Sequence, residues 1–219
     1  DATMIQLHHF PGTAAMVPHI LLEELDVPYE RVSVDRTAHA HKRPEYLRLN
    51  PNGLIPVLVD GALVLYETAA IVLHLCDHHP QAGLAPPLRT PERSHFYKWL
   101  AWLTNTLQAT LIVYFYPERW VDDGNAEAAA QVKRHAQRKV VALLEQLEAQ
   151  LAQQGGPWFL GGSYGGLDAY VFTLCRWTRH FEDGRARDFE RLGAYLQRML
   201  ARPAVQRVIA NEGLQPPYV

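Results

Sequence analysis

Cysteine is scarce in this chain: there are two in 219 residues, Cys76 and Cys175, far apart and in no CxxC pair. That argues against a disulfide framework and a thiolate zinc site, and it fits a reducing compartment in which both are small buried hydrophobes within helices. An excess of one charge is lacking too, with 21 Lys and Arg against 23 Asp and Glu, a net charge of −2. No basic run tracks a phosphate backbone, so nucleic acid is not expected as a ligand. Long apolar runs are missing: residues 69–75 and 107–116 are interrupted well before the roughly 18 to 20 residues that span a bilayer. No basic segment followed by an apolar one opens the chain, so no signal peptide, no membrane association and a cytoplasmic location are expected. There is no glycine-rich phosphate loop, paired-carboxylate hydrolase pattern or nucleophile elbow, which argues against nucleotide and ester chemistry.

What the chain does have is 48% hydrophobic and 20% charged residues, enough for one large core or two small ones. Residues 4–10 alternate as a strand and stop at Pro11-Gly12, after which residues 16–25 repeat apolar groups at helical spacing. A second strand is expected over 29–34, then a polar, histidine-containing stretch at 36–43 and a short helix at 44–49. Residues 55–65 are two β-rich runs around Asp60-Gly61, a strong hairpin signal. A helix over 69–78 follows, and the proline-containing stretch after Pro80 breaks the pattern as a linker.

Beyond the linker the pattern is entirely helical. Thr90-Pro91 reads as an N-cap and first helical position, and Phe96, Leu100, Leu103, Leu107 and Leu111 predict one long amphipathic helix ending at Pro117. Val132, Ala136, Val140, Leu143, Leu147 and Leu151 predict a second. Helices over 167–181, 192–200 and 203–210 complete the chain.

Four features are candidates for chemistry. Residues 10–15, Phe-Pro-Gly-Thr-Ala-Ala, form a strand-to-helix turn that is either an ordinary connection or a cluster of backbone donors at a helix N-terminus. Pro56 opens a strand, and since proline cannot continue a ladder it marks either an edge or a cis peptide that aims the preceding backbone outward. Glu67-Thr68 stands where the hairpin meets a helix; Thr68 either caps the helix or, with Glu67, receives the ammonium and carboxylate of an amino-acid headgroup. His74 and His78 have i,i+4 spacing but lack the glutamate of a zincin motif, so no metal is expected.

Taken in order, Pro11-Gly12-Thr13, Leu54-Ile55-Pro56-Val57-Leu58 and Glu67-Thr68, with the α/β-then-α layout, resemble the cytosolic glutathione S-transferases, and the resemblance runs through the whole chain. The stretch 18–24 and the ending Arg202-Pro203-Ala204-Val205 are similar to bacterial members. The resemblance implies an α/β thioredoxin-like glutathione-binding domain over 1–80, a linker over 81–89 and an all-α C-terminal domain over 90–219 that contributes the electrophile pocket. It implies a homodimer with a role in detoxification, and glutathione as co-substrate with no metal.

Carried onto these positions, it implies a cis Pro56, an Ile55 backbone that pairs with the cysteinyl part of glutathione, and Glu67 and Thr68 at the γ-glutamyl group. His41 falls where some classes contact the glycyl carboxylate. In place of the family's catalytic Tyr or Cys stand His9 and Ala14, so Thr13, assisted by the N–H groups of 13–15, is the expected thiolate-stabilising group. The core-helix capping motif reads Gly165-Gly166-Leu167-Asp168, keeping the aspartate and losing the cap hydroxyl.

The implied activity is transfer of the glutathione thiolate to a small hydrophobic electrophile in a pocket lined by Phe10, Pro11, Asn105, Thr106, Gln108 and Tyr114. The alternatives are a glutathione-dependent disulfide reductase and a non-catalytic binding or interaction protein with the same fold.

Overall fold

The computed structural model describes residues 3–219, which divide into two compact units: residues up to Ala85 with Leu200–Pro216, and Pro86–Met199 with Pro217–Val219. In the first unit, β1 (Ile5–His9) turns every second side chain inward, burying Ile5, Leu7 and His9. Helix α1 (Met16–Leu25) then crosses over to β2 (Tyr29–Ser33), which pairs parallel with β1. Helix α1 ends where Asp26 takes a left-handed φ of 53° and returns its N–H to the Glu23 carbonyl.

A short helix α2 (Pro44–Leu47) precedes the hairpin of β3 (Val57–Asp60) and β4 (Leu63–Tyr66). Asp60 pairs with Leu63, so the two-residue loop is Gly61-Ala62, one position later than the Asp-Gly dipeptide suggests. Gly61 supplies the positive φ, 60°, that this tight turn demands. The sheet order is β2-β1-β3-β4. Helix α3 (Thr68–His78) buries Ile71, Val72, Leu75 and Cys76 and packs with α1.

The second unit is helical. Thr90 caps α4 (Pro91–Trp102), its hydroxyl oxygen accepting from the Arg93 N–H at 3.2 Å. The long helix expected up to Pro117 is interrupted by a π-helical segment over Leu103–Gln108 before continuing as α5 (Ala109–Phe115). The apolar stripe still lies inward, with Phe96, Leu100, Leu103, Leu107 and Leu111 all buried. Period counting missed the interruption because a wider turn keeps the stripe inward and changes only where the intervening polar residues point.

Next come α6 (Ala126–Gln154), α7 (Gly166–Arg176) and α8 (Glu190–Leu200). Helix α7 stops five residues short of the expected 181, after which Thr178 bonds back to the Cys175 carbonyl through both its N–H and its hydroxyl. At its start Asp168 takes the Gly165 N–H at 2.8 Å, the Phe159 N–H at 3.0 Å and the Tyr195 hydroxyl at 2.7 Å, so the retained aspartate also anchors a loop and α8. Helix α9 (Pro203–Asn211), grouped by periodicity with the helical half, lies in the first unit against α1. Among the described residues, no helix is long and apolar enough to cross a membrane.

Candidate active site

Strand register determines what meets at one end of the sheet. His8 pairs with Val57, Val57 with Tyr66, and His9 with Ser33. The C-terminal ends of β1, β2 and β4 and the N-terminal end of β3 therefore share one edge. The turn after β1 (residues 10–15), Ile55-Pro56 before β3, Glu67-Thr68 after β4 and the segment after β2 that carries His41 all leave the sheet there.

In the turn, Gly12 adopts φ +74° and donates its N–H to Glu212 Oε1 at 2.9 Å. Thr13 is already engaged: its hydroxyl donates to the Phe10 carbonyl at 2.7 Å and accepts the Ala15 N–H at 3.3 Å. The Thr13 N–H reaches the same carbonyl at 3.3 Å. The N–H of Ala14 has no hydrogen-bond partner among the described residues, and Ala14 itself is buried. A donor left open at the start of α1 is the kind of group that stabilises an anion.

His9 is buried beneath the turn, its Nδ1 without a hydrogen-bond partner among the described residues. Burial, and then the nearby Arg31 charge, push its pKa below the ordinary imidazole value.

The loop before β3 is held by groups the sequence pattern did not single out as functional. The Leu54 carbonyl accepts from the Tyr46 hydroxyl at 2.5 Å and from Asn50 Nδ2 at 3.0 Å, while Asn50 Oδ1 accepts the Asn52 N–H at 3.0 Å. Gly53, at φ +61°, lies so close to Lys42 and the His41 carbonyl that a Cβ would stand about 3 Å from each. The Ile55–Pro56 peptide is cis. With the preceding carbonyl fastened and the ladder beginning only at Val57, the Ile55 N–H and C=O have no partner among the described residues. The dipeptides Asn50-Pro51 and Asn52-Gly53 are turn signals, so the role of Asn50 was accessible to a turn-chemistry reading.

Thr68 does not cap α3. The N-cap position is Glu67, with no side-chain cap hydrogen bond, and Thr68 is the first helical residue. Glu67 holds φ +77°, a conformation that side chains other than glycine rarely adopt and that concentrates at functional sites. It is exposed and, among the described residues, makes no ion pair or hydrogen bond through its side chain, beside the open first-turn N–H groups of α3. A carboxylate beside helix-end donors suits a zwitterionic amino-acid headgroup.

His41 lies partly buried in a single 3-10 turn (Ala40–Lys42), its ring stacked on His39 with centroids 6.2 Å apart. Burial, followed by the charges of Lys42 and Arg36, lowers its pKa. His74 Nε2 engages Asp60 at 2.9 Å and His78 Nδ1 engages the His74 carbonyl at 2.9 Å. Among the described residues, no group of three or more His, Cys, Asp or Glu is arranged to hold a metal ion.

The residues expected to receive an electrophile fall in both units. Phe10 and Pro11 lie on the turn in the first unit. Asn105 and Thr106 line a cleft of about 620 Å³ between the π segment, α5 and α6, with Arg138 and Lys139 on its far wall. Gln108 instead accepts a hydrogen bond from the Tyr170 hydroxyl of α7. Tyr114 packs on Phe115 and Phe181, with Lys133 over its ring. A π segment changes the angle between successive side chains, which is why polar residues three apart that would share a face on an α-helix do not do so here.

Family models for "Glutathione S-transferase, N-terminal domain" and "Glutathione S-transferase, C-terminal domain" match residues 2–77 and 111–212. The chain is 32% identical over 211 residues to glutathione S-transferase GST-4.5 of Xanthomonas campestris pv. campestris, covering 96% of this chain and 100% of that one. It is 28% identical to glutathione S-transferase GstA of Escherichia coli O157:H7, covering 96% and 100%. The crystal structure of a glutathione transferase homologue from Sulfitobacter with bound glutathione superposes with a TM-score of 0.86 at 25% identity, covering 97% and 99%.

Proposed function

We propose that this chain, which belongs to the glutathione S-transferase family and is a glutathione transferase, binds glutathione at the shared end of its sheet and activates the thiol at the turn before α1. The observation that carries this reading is the set of uncommitted groups that strand register brings to one edge: the Ala14 N–H, the Ile55 backbone, and Glu67 with Thr68 at the start of α3. In this reading Glu67 takes the γ-glutamyl ammonium, and Thr68 with the first-turn N–H groups takes its carboxylate. The Ile55 N–H and C=O pair with the cysteinyl unit as an added strand would, and His41 stands by the glycyl carboxylate.

The glutathione S–H gives its proton to solvent, and the thiolate is stabilised by the Ala14 N–H, the N-terminal end of α1 and the Thr13 hydroxyl. The thiolate then attacks an electrophilic carbon. An S–C bond forms, and the leaving group departs with its bonding pair. Phe10, Pro11, Asn105 and Thr106 are the proposed electrophile-side residues. Gln108, already engaged by Tyr170, and Tyr114, packed on Phe181, are weaker candidates. A role in detoxification, a homodimeric assembly and a cytoplasmic location belong to the same proposal.

The test is turnover of glutathione with a small aryl halide, compared with reduction of a mixed disulfide. Conjugation with little reduction supports the proposal. Reduction alone would move the chain to a glutathione-dependent reductase, and glutathione binding without either activity to a ligand-binding protein.

A further inference from the structure

Helix α9 ends at a residue whose placement the helix itself does not explain. Glu212 is its C-cap, where a negative charge opposes the helix dipole, and its side chain is buried. Both carboxylate oxygens reach across to the turn and to α1: Oε1 accepts the Gly12 N–H at 2.9 Å, and Oε2 meets His19 Nδ1 at 2.5 Å. His19 is fully buried, with its ring 6.5 Å from that of His9 and edge-on to Tyr29 at 5.9 Å.

The rest of the segment is fastened to the same neighbours. Arg202 forks onto Glu24 at 2.6 and 2.9 Å, Arg207 reaches Glu23 at 3.1 Å, and Arg31 of β2 donates to the Asn211 carbonyl at 3.1 Å. Leu214 lies where a Cβ on Gly12 would be in contact with it, at 3.9 Å.

We infer that the segment 202–214 is a clamp on the thiol-activating turn, and that Glu212 is its positioning residue. Gly12 begins the run of amides that ends in the open Ala14 N–H. Fixing the Gly12 N–H and α1 at once sets where that donor stands. A buried carboxylate keeps such a place only when both oxygens are satisfied, and releasing it takes this acceptor away from the Gly12 N–H and this contact away from the His19 ring. The inference rests on the proposed glutathione reading for its catalytic consequence, while the clamp itself is a property of the first unit alone.

The experiment compares wild type with Glu212→Ala and Glu212→Gln by amide hydrogen exchange, by the ultraviolet titration of bound glutathione, and by calorimetry with S-methylglutathione, which lacks a free thiol. In Glu212→Ala, exchange at residues 12–17 should accelerate at least about tenfold while the β1 and β3 amides keep their protection. The bound thiol pKa should rise and kcat/KM should fall by about 10 to 100-fold, the scale of a displaced catalytic donor. Affinity for S-methylglutathione should stay within about threefold, because the headgroup site is elsewhere on the sheet edge.

Glutamine keeps the reach and an acceptor for Gly12, so Glu212→Gln should restore both the exchange protection and the thiol pKa. If the alanine variant does not fold, Glu212→Asp, whose carboxylate is withdrawn by about 1.5 Å, should show the same direction of change. Unchanged protection at 12–17 in the alanine or aspartate variant overturns the clamp, as does a glutamine variant as impaired as alanine. A uniform loss of stability and ligand affinity with an unshifted thiol pKa would make Glu212 merely structural and overturn the positioning role. Wild-type protein that binds no glutathione would sink the functional reading instead, and the exchange measurement would still decide the clamp.

Discussion

Removing the Thr13 hydroxyl separates two sources of thiolate stabilisation. In Thr13→Val the methyls keep the packing, while the hydroxyl that donates to the Phe10 carbonyl at 2.7 Å and accepts the Ala15 N–H at 3.3 Å is lost. A free hydroxyl donating to a thiolate would contribute about 1.5 to 3 kcal/mol, as hydrogen bonds to charged groups do. This hydroxyl is not free. To face a thiolate it must release the Phe10 carbonyl, giving up about 0.5 to 1.5 kcal/mol. The net lies between about 0 and 2.5 kcal/mol, centred near 1.3 kcal/mol, which raises the bound thiol pKa by about one unit. Below that pKa the thiolate fraction, and conjugation with it, should fall about tenfold, the difference vanishing at alkaline pH. Thr13→Ser should titrate like wild type.

The assay is thiolate absorbance of bound glutathione against pH in the three proteins. Coincident wild-type and Val curves would remove Thr13 from the thiolate-stabilising groups and leave the Ala14 N–H and the helix end as the donors. A shift well above two units would refute the commitment of the hydroxyl to Phe10.

Burial lowers the pKa of His9, so between its folded and unfolded pKa values the folded chain binds fewer protons than the unfolded one and stability falls as pH drops below about 6.5. The stability advantage of wild type over His9→Gln should therefore shrink from pH 7 to pH 5.5 in denaturant titrations, and a constant difference would contradict the assignment. Asn50→Ala leaves the Leu54 carbonyl to Tyr46 alone and frees the Asn52 N–H. Chemical denaturation should show a loss of about 1 to 3 kcal/mol, with weaker glutathione binding through a loosened Ile55, whereas a stability unchanged from wild type would argue that the loop is held by other contacts. Asp168→Ala removes the acceptor of two N–H groups and the Tyr195 hydroxyl in the second unit, and should lower stability by more than about 3 kcal/mol; a loss under 1 kcal/mol would show that the network is dispensable.

Strand and helix positions were legible wherever apolar period and turn chemistry agreed, as at the 57–66 hairpin, α1 and the Thr90 cap. The π segment escaped because its core-facing leucines keep an ordinary helical spacing, so the different neighbours of Asn105 and Gln108 carry no mark in the one-dimensional pattern. Glu67 and Thr68 were legible as a pair by residue type, yet not the positive φ of Glu67, which arises from how β4 delivers the chain to α3. Glu212 had no local signal at all: its partners stand about 200 residues away, and a glutamate at a helix end reads as a solvated one until tertiary packing buries it.

Glutathione received through the Glu67 end of α3 should lose affinity in Glu67→Ala, read by calorimetric titration of glutathione into wild type and variant. Glu67 is exposed, so salt screens the pair and places the expected effect at the lower end for a charge-assisted bond: about tenfold weaker binding, and less at high ionic strength. Equal affinities in two folded proteins would overturn this placement, because the carboxylate that holds the γ-glutamyl ammonium in this reading would then contribute nothing.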